Sequence, residues 1–345
     1  MPWRATIKPP AEILFQGLLP EQCHDCARGS VATLADAWLV LAMSAPEEVL
    51  PGTPPTFPGA REPERERTVM SLGIPIHVAE WGDPEADPVL LCHGFWDHLR
   101  SFAVLGPLLA QRYRVVAMDA RGHGESGWAG AYQWTAWVTD TVHVLRSIGQ
   151  PSYVVGHSFG GGQSSDVAIS APELVRKLVN IDGFGPPVES STPTVPQEFR
   201  QYLDYRRKIT HRPLWKPYRT MEELVQRRSQ QNPRLSREWL DYFIYWASRE
   251  TAHGWAWRAD PQMAVDMGPW KPDWIGPSYR HLRMPMLAIV GSEPDTWGPL
   301  PETLLSSRLA HVPRLERVTI AGAGHFVHIE RPLETAAAIQ EFLAL

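Results

Sequence analysis

The sequence is 345 residues long, 43% hydrophobic and 21% charged, with a formal net charge of −5. That length suits one large α/β domain with an insertion or two modest domains, and the composition is that of an ordinary globular chain. Both charge signs are mixed, with no basic stripe or polylysine run, so neither nucleic acid nor anionic membrane is an expected partner.

Three cysteines make no disulfide framework for a chain this size, so a reducing, cytoplasmic setting is expected. In chain order, residues 1–67 read as an N-terminal extension and linker. They hold one candidate helix (Val31–Ala45), a Pro-rich run from Pro51 to Pro63 and a charged run from Arg61 to Arg67. The apolar run Ala37–Met43 falls far short of the roughly 20 residues of a membrane span, and no positive region beside it marks a signal peptide. Cys23 and Cys26 form a C-x-x-C pair without further zinc ligands nearby, so no metal is expected there.

From Thr68 the pattern alternates. Short apolar runs at Pro88–Cys92, Tyr113–Met118, Tyr153–Val155, Lys177–Ile181, Met286–Val290 and Arg317–Ile320 predict strands. Helices are expected over Leu99–Gln111, Gln133–Ile148, Gly160–Ser170 and Pro332–Leu345. Strands apolar on both faces, separated by helix-length segments, indicate a parallel sheet covered by helices. The carboxyl ends of such strands form the ligand-binding rim, which collects His93, Asp119, Ser158, Asp182 and Asp295. Roughly 100 residues separate the strand ending at Ile181 from the one starting at Met286, too long for a simple crossover. This insert, with helical pieces at Met221–Ser229 and Ser236–Ser248, reads as a helical cap. The expected organisation is a core at 68–184, the cap at 185–283 and the rest of the core at 284–345.

Gly156-His157-Ser158-Phe159-Gly160 fits G-x-S-x-G between a strand and a helix. A serine on that sharp turn is pushed out of the sheet, and the flanking glycines remove clashing side chains. A serine hydroxyl needs a base, and His325 is chosen from 13 histidines because Gly322–His325 follows the last strand on the same rim. His93, His123 and His157 are read as fixing their glycine turns, and His328 as packing beneath the His325 loop. Asp295, in Gly291–Asp295, is the expected acid, with Asp182 and Glu293 as rivals. The backbone N–H groups of Phe95, in His93-Gly94-Phe95-Trp96, and of Phe159 are the expected oxyanion donors.

These motifs, with Asp119–Ser126 and Gly324-His325-Phe326, resemble the α/β-hydrolase superfamily over about residues 70 to 345. The resemblance implies a mostly parallel eight-stranded sheet flanked by helices, with a helical cap insertion, and a structural rather than catalytic role for the Asp119–Ser126 turn. Epoxide hydrolases and haloalkane dehalogenases of this superfamily carry aspartate at the elbow. Ser158 in its place argues for acyl transfer to water. The N-terminal 65 residues have no counterpart in the resemblance; they read either as an accessory arm or as a start placed too early, since Met70 would open a chain of usual family length.

Of 15 tryptophans, seven fall between Trp215 and Trp274; most are expected to pack the cap, while Trp96 and Trp297 are expected to line the substrate pocket. The activity expected is hydrolysis of a small to medium apolar carboxylic ester or lactone through an acyl-enzyme, with no cofactor and no metal. C–C bond hydrolysis of a diketone-like substrate by the same residues is the alternative. A non-catalytic receptor on the same fold is a third reading, and it predicts a broken triad.

Overall fold

The structure, a computed structural model, describes residues 53–130, 132–186, 195–210, 217–264 and 271–345. The helix expected at Val31–Ala45, the apolar run Ala37–Met43, the pair Cys23 and Cys26, and two cap tryptophans, Trp215 and Trp270, lie outside the described residues.

The first two strands, β1 (Arg65–Ser71) and β2 (Ile74–Trp81), form an antiparallel hairpin. Its turn residues Leu72 and Gly73 both have positive φ, 50° and 78°, the geometry that matches the twist of paired strands. β1 begins at Arg65, inside the stretch expected to be an extension. Its charged residues are used: Arg67 Nε donates to Glu80 at 2.8 Å, and Glu66 accepts from Arg100 and meets His77. Met70, the alternative start, lies within this strand.

The sheet continues with β3 (Pro88–Cys92), β4 (Arg114–Met118), β5 (Ser152–His157) and β6 (Val175–Ile181). After the insert come β9 (Met286–Gly291) and β10 (Leu315–Ile320). Spatial order is β1-β2-β4-β3-β5-β6-β9-β10. β1–β2 and β2–β4 are antiparallel, and every other pairing is parallel. This is the mostly parallel eight-stranded sheet implied by the sequence.

Strand periodicity divides the core in two. Leu90, Val154, Leu178, Met286 and Ala288 face one layer, whereas Val89, Leu91, Val155, Val179 and Leu287 face the other. The first layer is closed by α2 (Trp134–Ile148), α3 (Phe159–Ser170), α7 (Ile275–Tyr279) and α8 (Glu302–Leu309). The second is closed by α1 (Leu105–Leu109) and α10 (Pro332–Ala344), which follows the short α9 (Val327–Glu330).

The single helix expected over Leu99–Gln111 is instead a 3₁₀ turn, Leu99–Phe102, followed by α1. Pro107 explains the break, because its ring crowds the carbonyl four residues earlier and offers it no N–H. That carbonyl, on Ala103, accepts from Arg61 N at 3.0 Å instead.

Between Ile181 and Met286 stand α4 (Val195–Thr210), α5 (Met221–Gln231), α6 (Arg237–Ala247) and a small hairpin, β7 (Ser248–Thr251) with β8 (Gly254–Trp257). The side-chain oxygens of Thr220 and Ser236 cap α5 and α6 by accepting from Glu223 N and Trp239 N. Leu224, Trp239, Leu240 and Phe243 pack with Val104 and Phe326 of the core, and Trp246, Trp255 and Trp257 pack against this cluster. No helix among the described residues is long and apolar enough to cross a membrane.

Candidate active site

β5 ends in Ser158, held at φ 53° and ψ −118°, and α3 starts at Phe159. Such a backbone is strained for a residue with a side chain and persists only where its surroundings fix it. Here Ser158 N donates to Ile181 O at 2.9 Å, and Ser158 O accepts from Gly161 and Gly162. A Cβ on Gly156 would strike Gly160 O, and one on Gly160 would strike Cys92 O and His93 O. Glycine at both positions lets strand, elbow and helix approach this closely.

His325 Nε2 lies 2.9 Å from Ser158 Oγ, and His325 Nδ1 lies 2.6 Å from Asp182 Oδ2. Since a carboxylate only accepts, Nδ1 carries the proton and the Nε2 lone pair faces the serine hydroxyl. His325 and Asp182 are 5% and 8% exposed. Three stretches distant in sequence thus converge at one edge of the sheet.

The carboxylate on the imidazole belongs to Asp182, which corrects the expectation for Asp295. Asp295 is occupied otherwise: Oδ2 accepts from His325 N at 3.0 Å and Oδ1 from Thr296 N at 2.6 Å. It clamps the backbone of the histidine loop and leaves the ring alone. Glu293 accepts from Ser292 Oγ and makes no bond to the ring. Asp182 follows directly from β6, the neighbour of β5, and its own N donates to Ile289 O at 2.9 Å. Gly298 packs against the same pair, where a Cβ would meet Asp182 Oδ2.

Behind the serine, the loop after β3 is fixed by histidines. His93 Nε2 accepts from Ala120 N at 3.0 Å, so its Nδ1 donates to Gly94 O at 2.7 Å. His123 accepts from Trp96 N at 3.2 Å. His157 bonds beyond its own turn, to His325 O at 3.0 Å, and ties the elbow to the histidine loop. His328 is buried beneath that loop, against Phe102 and His157. Gly94, Phe95 and Phe159 all line the cavity that holds Ser158. Neither the Phe95 nor the Phe159 N–H is donated to a protein acceptor among the described residues.

The Asp119–Ser126 turn supports the site from the side. Asp119 accepts from Leu99 N, Glu125 N and His77 Nδ1. Although burial works against its charged form, hydrogen bonding from His77 holds its carboxyl below the usual range. His77 is raised to about 10, because its bonds to Asp119 and Glu66 outweigh the cost of burial.

The cavity in front of Ser158 has a volume of about 620 Å³. Trp96 and Trp297 line it as the sequence reading expects, and so do Trp134, Trp274, Phe159 and Phe326, which that reading left out. Trp134 lies in the helix before the elbow and Trp274 in the insert, so only the fold brings them in. Among the described residues, two groups have metal-binding side chains within reach of one another, Asp97 with His157 and His328, and Glu66 with His77 and Glu125.

The alpha/beta hydrolase family model matches residues 89–338, more than half of the chain. A serine hydrolase-like protein of Dictyostelium discoideum is 25% identical over 304 residues, covering 79% of this chain and 80% of that protein. The esterase YbfF of Escherichia coli is 26% identical over 279 residues, covering 79% of this chain and 99% of the esterase. Among solved structures, a thioesterase domain from the curacin biosynthetic pathway superposes with a TM-score of 0.69 at 24% identity, covering 80% of this chain and 98% of that domain. With the matched family model, the shared sheet and the strand–serine–helix elbow, the chain belongs to the alpha/beta hydrolase family.

Proposed function

We propose that this protein hydrolyses a carboxylic ester or lactone with an apolar body through an acyl-enzyme on Ser158. The reading is carried by the 2.9 Å contact between Ser158 Oγ and His325 Nε2, with Asp182 on the opposite ring nitrogen. Ser158 Oγ attacks the carbonyl carbon as its proton passes to His325 Nε2. Asp182 keeps the ring in the required tautomer and stabilises the imidazolium. The tetrahedral oxyanion lies against the N–H groups of Phe95 and Phe159, each such donor being worth about 3 kcal/mol to the transition state. His325 then protonates the leaving alcohol, and on the return half-reaction it takes a proton from the attacking water.

The esterase among the relatives supports the ester class, and the aromatic cavity of about 620 Å³ suits a small to medium apolar group. The test is turnover of p-nitrophenyl esters together with labelling by a fluorophosphonate. Ser158→Ala is expected to lose the label and to lower kcat by on the order of 10⁶-fold. Ester turnover that survives Ser158→Ala would overturn the reading. Diketone cleavage far outpacing every ester would overturn the ester assignment alone.

A further inference from the structure

The last turn of α5 and its cap residue carry Arg228, Gln231 and Asn232 at i, i+3 and i+4, a spacing that places them on one helix face. All three line the cavity in front of Ser158. Arg228 and Asn232 are only 6% and 2% exposed. Arg228 Nη1 donates to Trp96 O at 3.1 Å, one residue past Phe95 of the loop behind the serine. Its guanidinium lies over the ring of Phe243 at 4.7 Å, which holds it in place.

What this face lacks is an acceptor. Arg228 Nε and Asn232 Nδ2 are buried with no hydrogen-bond partner, and no carboxylate forms an ion pair with Arg228 among the described residues. Asp97 lies outside the lining of this cavity and acts on Arg228 through its field without a hydrogen bond to it, although its own Oδ2 is also buried and unpartnered. The carboxylates on the cavity wall are engaged, Asp182 by His325 and Asp166 by Trp134 Nε1 at 2.6 Å. Buried donors left without acceptors are costly. Two of them on one face of this cavity are accounted for by a negatively charged acceptor that arrives with the ligand.

We propose that the substrate carries a carboxylate in addition to its scissile carbonyl and apolar body, and that Arg228 and Asn232 bind it. Gln231 stands beside them at the exposed end of the face. The site lies at the C-terminal end of α5, where the helix dipole is negative, so it suits a monoanion better than a phosphate dianion. This inference rests on the acyl-transfer reading of Ser158.

The test compares mono-p-nitrophenyl adipate and pimelate with the same esters whose free carboxylate is converted to an amide. The full chain is expected to prefer the acids by about 10- to 100-fold in kcat/KM, chiefly through KM, as charge-assisted hydrogen bonds supply. Arg228→Gln is expected to bring the ratio near one, with Arg228→Lys between. In a second arm, phenylbutyrate should inhibit neutral-ester turnover competitively and at least tenfold better than phenylbutyramide. This arm needs no variant, so it decides the matter even if Arg228→Gln does not fold. It also applies whichever side of the ester carries the charge. Equal turnover of acid and amide with equal inhibition, or a preference that persists in Arg228→Gln, would overturn the inference and leave the Ser158 reading standing. Absence of any ester turnover and of any label on Ser158 would overturn both.

Discussion

At the scale of single residues, two aspartates compete for one histidine, and their bonding separates them. Asp182 holds the ring nitrogen at 2.6 Å, whereas Asp295 holds the loop backbone at 3.0 Å. Asp182→Asn should therefore lower kcat by on the order of 10³–10⁴-fold, since the amide no longer enforces the tautomer or stabilises the imidazolium. Asp295→Asn should cost about tenfold at most, with about 1 kcal/mol of stability lost as its bond to His325 N weakens. Steady-state kinetics on both variants checks this; a larger loss for Asp295→Asn would reverse the assignment. Ser158 and His325 were legible in the sequence because glycines flank them at strand ends. Asp182 was legible only as a rival, since both aspartates stand between serine and histidine in the chain. What favours Asp182 is that β6 lies beside β5, and adjacency across a sheet is not written in local sequence. Arg228 was not legible at all: nothing local marks it apart from its neighbour Arg227, and only packing buries one and exposes the other.

At the scale of elements, the elbow is positioned by backbone contact between α3 and the end of β3. Gly160→Ala would drive a methyl group into the carbonyls of Cys92 and His93. The variant should lose about 1–3 kcal/mol of stability, as overpacking typically costs. Its kcat should fall too, because Phe95 and Phe159 flank this contact. Denaturant unfolding reads the first effect, and a variant as stable as the parent would contradict the packing described. The parallel strands were legible because their apolar runs are buried on both faces. β1 was obscured because its residues alternate between half-buried and exposed and carry the charges of an apparent linker. A chain begun at Met70 would keep two of the seven residues of β1 and lose the Arg67–Glu80 bond. Its melting temperature should fall by several degrees relative to the full chain.

For the molecule as a whole, buried histidines couple folding to pH. Burial is the main cause that lowers His98, His123 and His328 to about 3 from an ordinary 6.5, and it holds His157 well below that value. The unfolded chain then binds more protons than the folded one between about pH 3 and 6.5, so this stability is present above 6.5 and is lost as pH falls toward 3. His77 works in the other window. Raised to about 10, it contributes below 6.5 and loses its contribution as pH rises through 10. The unfolding free energy should therefore fall by more than about 1.4 kcal/mol per unit between pH 6 and 4.5, the slope of a single linked proton. Urea titrations across that range test it, and a flat profile would mean these rings are protonated in the folded state.

The most direct measurement is the mass of the protein after reaction with a slowly released acyl donor, p-nitrophenyl dimethylcarbamate, followed by peptide mapping. The expected result is one dimethylcarbamoyl group on the peptide containing Ser158, formed far more slowly in His325→Ala. A carbamoyl group on any other residue, or protein that stays unmodified while still hydrolysing p-nitrophenyl esters, would contradict it.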